Sequence, residues 1–285
     1  MRILCATDGS RSALAAARFL AALRLDDTSE IQLLRVLEHD EGDPEAYPAL
    51  DASERALAGT SAKVRRAIRR GRAVQVVLEG AKSLAAEARA GGDDALVAIG
   101  DHGHSPLEHL FLGSVAERVV RHAPTAVLVA RPVLDELDRI VVALDGSDGA
   151  MQAVAYLARM PLPEKVAFRL VGVALPTELV AARRFPIAGL DAMLRDAAER
   201  EREWMREHLD GAAALLRGAG FTAVEAVVRE GDATAEVLAE ADEWNADLVV
   251  AGARGAGRFD RLVLGSVSEK LVRHAPVGVL VVRPG

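Results

Sequence analysis

The sequence predicts an α/β protein made of two tandem copies of one open, doubly wound, five-stranded parallel sheet. Three observations predict it. The chain is written twice, short aliphatic runs alternate with helical stretches, and the strand ends carry glycine-bearing loops. The first half begins Ile3-Leu4-Cys5-Ala6-Thr7-Asp8-Gly9-Ser10 and the second Ile140-Val141-Val142-Ala143-Leu144-Asp145-Gly146-Ser147. Both halves close on Gly-Ser-Val, then Arg-His-Ala-Pro, then an aliphatic run ending in Arg131-Pro132 or Arg283-Pro284. A repeat of this kind is one structural unit duplicated.

In the first copy, Ile3–Ala6, Ile31–Leu37, Val74–Leu78, Ala95–Ile99 and Ala126–Ala130 are continuous apolar runs, the mark of parallel strands buried on both faces. Helical spacing falls between them at Ala13–Leu23, Leu84–Ala90 and Val115–Arg121. The second copy repeats the order with strands at Ile140–Ala143, Phe168–Val173, Val224–Val228, Leu248–Ala251 and Val277–Val282. Strand–helix alternation with right-handed crossovers gives a doubly wound sheet, whose ligands bind beyond the carboxyl ends of the strands. The copies are expected at residues 1–134 and 138–285, joined by a short linker from Pro132 to Asp138. Asp8 matches Asp145 and Gly100 matches Gly252, so the second copy carries about 15 extra residues between Thr177 and Gly220. Apolar residues at helical spacing around Leu190–Arg217 predict a helix there, which suits core packing or, alternatively, a lid over the site or a partner contact.

Composition narrows the function. Of 285 residues, 51% are hydrophobic and only 4% aromatic, which describes an aliphatic core with few ring faces for stacking on sugars or single strands. A formal charge of -7 argues against binding phosphate backbones. No run reaches the roughly 18 apolar residues of a membrane span, and Asp8 comes too early for a signal-peptide core, so a cytoplasmic protein is expected. Cys5 is alone, in an apolar run, and reads as a small buried hydrophobe.

The chemistry sits where strand four ends. Copy one reads Gly100-Asp101-His102-Gly103, nine residues, then Gly113-Ser114; copy two reads Gly252-Ala253-Arg254-Gly255, nine residues, then Gly265-Ser266. Glycines let backbone approach a ligand, and Gly-Ser opens a helix whose free N–H groups favour an anion. Ser114 and Ser266 suit either an N-cap or a hydroxyl donated to phosphate. Asp8 and Asp145, each in Asp-Gly-Ser after strand one, suit either ribose hydroxyls or an Asx turn. No P-loop, no complete dinucleotide fingerprint and no Gly-x-Ser-x-Gly elbow occurs, and no base–nucleophile pair is poised for catalysis. The His102, His104, His109 and Glu108 group fits no zinc spacing, so neither a catalytic nor a metal site is expected.

These residues resemble the universal stress protein family over essentially the whole chain, in its tandem two-domain form. The glycine pattern resembles the ATP-binding signature of that family's nucleotide-binding branch. The resemblance implies an adenine-nucleotide-alpha-hydrolase-like, Rossmann-like fold and an ATP site in each copy; triphosphate binding commonly involves magnesium, which the sequence itself neither requires nor excludes. It carries Asp8 and Asp145 to the ribose or adenine, and Val36 and Val173 to adenine. A glycine after strand three maps to Gly80 and Gly231. The phosphates fall to Gly100, Gly103, Gly113 and Ser114 in copy one, and to Gly252, Gly255, Arg258, Gly265, Ser266, Val267 and Ser268 in copy two. It also implies pseudo-twofold pairing of the copies through Ala126–Ala130 and Val277–Val282, and leaves a homo-oligomer open.

The copies differ at the loop. Copy two has Arg254, Arg258 and Arg261 against Asp260; copy one has Asp101 and Glu108, with Pro106 matching Arg258 and Ala116 matching Ser268. Guanidinium groups grip phosphate, whereas carboxylates repel it. Copy two is therefore the expected ATP site, with copy one binding weakly or when its histidines charge. The resulting expectation is a stress-response binding protein whose partners or shape follow nucleotide occupancy. The alternatives are a slow ATP hydrolase or adenylyl-handling enzyme on the same fold, and an interaction module that binds no nucleotide.

Overall fold

A computed structural model describes residues 1–38, 46–103, 112–132, 136–174, 190–254 and 264–283. In chain order, copy one contains β1 (Arg2–Ala6), α1 (Arg11–Ala22), β2 (Glu30–Leu37), α2 (Ala46–Ala56), β3 (Lys63–Arg70), α3 (Ala73–Gly91), β4 (Ala95–Gly100), α4 (Ser114–His122) and β5 (Ala126–Ala130). Copy two contains β6 (Arg139–Leu144), α5 (Asp148–Arg159), β7 (Ala167–Ala174), α6 (Leu190–Gly218), β8 (Val224–Glu230), α7 (Ala233–Glu243), β9 (Leu248–Gly252), α8 (Ser266–His274) and β10 (Gly278–Val282).

The ten strands of the described residues form one sheet in the order β3-β2-β1-β4-β5-β10-β9-β6-β7-β8. Within each copy the pairings are parallel, and the order reverses between β1 and β4, or β6 and β9, which opens a crevice at the carboxyl ends. Alternating side chains feed two cores. Ile3 and Cys5 join Leu20, Leu50, Leu157 and Leu209 on the α1, α2, α5 and α6 side, while Leu4 joins Val77, Val120, Val237 and Leu271 on the other. Cys5 is fully buried, and burial pushes its thiol up to about 12. Native protein is expected to resist iodoacetamide near pH 8 and to label fully in urea. Prompt alkylation without denaturant would contradict this packing.

The copies meet where β5 and β10 pair antiparallel, with Val129 opposite Val279, Leu128 opposite Leu280 and Val127 opposite Val281. Leu128 and Leu280 are repeat equivalents, so the pseudo-twofold axis passes between them. Val127 and Val129 then exchange places with Val279 and Val281, as an isologous contact requires. Each copy's β5-type edge is thereby covered by the other.

One expected strand is corrected. Val74–Leu78 lies inside α3, where Val77, Ala81, Leu84 and Ala88 are buried at helical spacing. The third strand is Lys63-Val64-Arg65-Arg66-Ala67-Ile68-Arg69-Arg70, paired to β2 at the outer edge of the sheet. An edge strand need not be apolar, and charged side chains there protect its open side from further pairing. The extra segment of copy two forms α6. It buries Met205, Leu209, Ala212, Ala213 and Leu216 against the core that it shares with α5 and β7.

Candidate functional site

Two equivalent cavities lie at the carboxyl ends of the strands, about 530 Å³ in copy one and about 620 Å³ in copy two. Both volumes fall in the ordinary range for small-molecule sites. The copy-one cavity is lined by Asp8, Val36, Gly100, Gly103, Gly113 and Ser114 among others, and the copy-two cavity by Asp145, Val173, Gly252, Gly265, Ser266, Val267 and Ser268. Thirteen expected residues from distant parts of the chain therefore converge on the two cavities. Gly255 and Arg258, with Arg261, His104, Glu108 and His109, lie outside the described residues.

The floor of each cavity is a contact of backbone on backbone. A Cβ on Gly100 would lie 2.7 Å from Ala13 N and Ser12 C, and one on Gly252 would lie 2.5 Å from the Gly149 carbonyl oxygen. The turn after strand one sits beside it. Asp8 Oδ1 accepts from Ser10 N–H at 2.9 Å and Asp145 Oδ1 from Ser147 N–H at 3.0 Å, so the Asx turn is real in both copies. Ser10 and Ser147 are the N-caps, each accepting at Oγ from the amide three residues on, at 3.2 Å. The Asp8 carboxylate also faces the glycine loop: a Cβ on Gly103 would come within 2.6 Å of Asp8 Oδ2.

The opposite wall is the amino end of α4 or α8. Gly113 and Gly265, not the serines, are the N-caps, and neither supplies a side-chain cap. Ser114 and Ser266 are exposed, and their hydroxyls have no hydrogen-bond partner among the described residues. Open amides, exposed hydroxyls and the positive helix end face the cavity together, an arrangement that favours an anion. Ser268 lines the copy-two cavity, but its hydroxyl donates to the Gly252 carbonyl at 2.6 Å and so braces the strand end.

Two expected residues fall outside the cavities. Gly80 is in the middle of α3, where an added Cβ would lie 3.0 Å from Leu4 Cδ2. Its position after strand three belongs instead to Gly71, which matches Gly231: both follow the edge strand with φ of 139° and 145°. Their amides donate to the ends of the neighbouring strands, at Leu37 and Ala174. Gly231 therefore turns the chain behind the wall formed by Ala233 and Val237. Gly71 was hidden because the basic strand before it did not read as a strand.

Asp101 is corrected in role as well. Its side chain is buried and turned away from the cavity, with Oδ2 3.2 Å from Arg131 Nε and Oδ1 2.7 Å from His102 Nδ1. A carboxylate held by a guanidinium does not repel an incoming phosphate. Inside the cavities the polar differences include His102 against Arg254, Ala116 against Ser268, and Arg35, which lines the copy-one cavity alone. Arg254 makes no ion pair among the described residues, and its Nε is buried without an acceptor.

The family model for the universal stress protein family matches twice, over residues 1–131 and 136–283. The chain belongs to the universal stress protein family. A Staphylococcus aureus universal stress protein is 38% identical over 86 residues, a match covering 30% of this chain and 52% of that one; the chain thus spans about half the length of the curated relatives it matches. Among solved structures, a universal stress protein from Archaeoglobus fulgidus superposes with a TM-score of 0.62 at 22% identity, over 100% of this chain and 98% of its own. One from Pseudomonas aeruginosa reaches 0.61 at 19% identity, over 99% and 93%. These likenesses show that the tandem universal stress protein fold extends through the whole chain. Among the described residues no helix is long and apolar enough to cross a membrane, and no group of three His, Cys, Asp or Glu is placed to hold a metal ion.

Proposed function

We propose that this universal stress protein is a cytoplasmic nucleotide-dependent regulator in which each copy, residues 1–134 and 138–285, holds an adenine nucleotide, and that copy two is the ATP site. One observation carries the reading: both cavities bring a strand-one aspartate, a strand-two valine, a glycine loop and an uncapped helix N-terminus to one space. In this arrangement the valine-lined end takes adenine and Asp8 or Asp145 accepts from ribose hydroxyls. Open amides at Ser114 or Ser266 receive the phosphates, with magnesium shielding a triphosphate. Arg254 favours copy two, since a guanidinium that makes no ion pair among the described residues, beside the glycine loop, is matched by a triphosphate. In copy one the matching residue is His102, a weaker and pH-dependent cation than arginine, so phosphate is gripped less firmly there.

The first test is mass spectrometry of nucleotide released from freshly purified protein, followed by titration with ATP, AMP and adenosine. Arg254→Ala is expected to weaken ATP about 10- to 100-fold, the worth of a charge-assisted hydrogen bond, while adenosine changes little. Equal losses for ATP and adenosine would remove the phosphate role. No binding at millimolar ATP would leave the fold as an interaction module, and steady release of ADP would favour the hydrolase reading.

A further inference from the structure

Each helix whose amino end opens onto a cavity is gripped at its far end by an arginine of the other copy. Arg131, just past β5, donates from Nη2 to the Val272 carbonyl at 2.7 Å and from Nη1 to the Val277 carbonyl at 2.9 Å. Its repeat equivalent Arg283, just past β10, donates from Nη2 to the carbonyls of Val120 at 2.6 Å and Arg121 at 2.8 Å. Val120 and Arg121 belong to the last turn of α4, and Val272 to the last turn of α8. Those carbonyls lack intrahelical partners and carry the negative end of the helix dipole, so a guanidinium both satisfies and neutralises them. Reciprocal ion pairs flank the grips, Arg121 to Glu269 at 2.9 Å and Arg273 to Glu117 at 3.3 Å. The opposite ends of the same helices open at Ser114 and Ser266 onto the two cavities.

The two arginines differ at their inner ends. Arg131 Nε lies 3.2 Å from Asp101, the second residue of the copy-one glycine loop, and the other Asp101 oxygen lies 2.7 Å from Nδ1 of His102, which lines the cavity. In copy two the position of Asp101 is Ala253, which has no carboxylate to offer, and Arg283 Nε is buried without a partner among the described residues. Burial lowers the pKa of both guanidinium groups. Asp101 offsets this for Arg131, whereas repulsion from Arg254 adds to it for Arg283. A line of close polar approaches therefore runs from the copy-one cavity through His102, Asp101 and Arg131, and ends in the hydrogen bond of Arg131 to α8. In the other direction the line stops at Arg283.

We propose that Arg131 and Arg283 are cross-copy positioning residues, each fixing the phosphate-facing helix of the opposite copy, and that the Asp101–Arg131 pair couples the two cavities. What fills the cavities rests on the nucleotide reading; the grip of each arginine on the other copy's helix does not. Whatever tightens the copy-one loop pulls on Asp101 and so on the end of α8, and by linkage α8 acts back equally on the loop.

Hydrogen exchange on the full chain, read by mass spectrometry of its peptides, separates the copies. Without nucleotide, Arg283→Ala is expected to speed exchange about tenfold in residues 112–122 and to leave 264–274 unchanged, although Arg283 belongs to copy two. Arg283→Lys, which keeps a cation at the helix end, restores most of the protection. Faster exchange in 264–274, or equally in both segments, makes the arginine an ordinary stabiliser and overturns the assignment. With ATP at a concentration that fills only the tighter cavity, the wild type is expected to slow exchange in 264–274 directly and in 95–103 by transmission, about fivefold. Asp101→Asn should abolish the transmitted part alone. Transmission that survives in Asp101→Asn, or is missing from the wild type, sinks the coupling. If ATP protects neither segment while Arg283→Ala still loosens 112–122 alone, the nucleotide reading fails and the cross-copy grip stands.

Discussion

Gly252→Ala is expected to destabilise the protein by about 1–3 kcal/mol and to remove the copy-two site with it. A methyl group there would lie 2.5 Å from the Gly149 oxygen, 2.6 Å from its carbonyl carbon and 3.0 Å from Ala150 N. All three atoms are backbone in the first turn of α5, so no side chain can swing aside. Gly149 meets the same constraint from the other direction, since its own Cβ would lie 2.5 Å from the Arg254 carbonyl oxygen. Relief requires α5 to shift away from β9, and that shift carries the Asp145-Gly146-Ser147 turn off the cavity. Gly211→Ala is the matched control. Gly211 lies within α6 with nothing within 4 Å of an added Cβ, so alanine there is expected to stabilise by about 0.5–1 kcal/mol. Urea midpoints of the two variants should move in opposite directions. A Gly252→Ala midpoint equal to wild type would mean that the close approach of β9 and α5 is not a constraint.

The same close approach explains why the site was legible in the sequence. Gly100 and Gly252 are demanded by backbone contact, Asp8 and Asp145 by the Asx turn, and Gly113 and Gly265 by the helix start. The turn and the helix start are local requirements and the backbone contact recurs at the same strand end, so each leaves a residue type at a fixed place in the repeat, and duplication writes it twice. Buried strands were legible for a similar reason, being covered on both faces. The third strand was not, because an edge strand is solvated along one side and its residues report that solvent. Losing β3 moved the following glycine from Gly71 to Gly80. Asp101 failed differently. Its charge was plain in the sequence, but whether a carboxylate faces a cavity or a guanidinium depends on Arg131, thirty residues on and packed against the other copy. Contacts between copies leave no spacing rule behind, which is why the arginine grips appear only in three dimensions.

The seam between the copies should be the most sensitive apolar contact in the molecule. Leu128 and Leu280 are both 0% exposed and directly opposed on the pseudo-twofold axis. Truncating either one is expected to cost about 2–5 kcal/mol, because each removes buried methyl groups from a tightly packed core and leaves a cavity. The two single variants should resemble each other more closely than either resembles Leu96→Ala, an equally buried leucine on β4 away from the axis. Pseudo-symmetry presents Leu128 and Leu280 with equivalent surroundings, whereas Leu96 faces β1 and β5 within one copy. Opposed residues also share one contact, which the double variant loses only once. Leu128→Ala with Leu280→Ala is therefore expected to cost less than the sum of the single changes, by about 0.5–1 kcal/mol. Equilibrium urea unfolding of the four proteins closes this cycle. Strict additivity would mean that the copies do not lean on each other at the axis, and would leave the edge-covering hydrogen bonds of β5 and β10 to hold the seam alone.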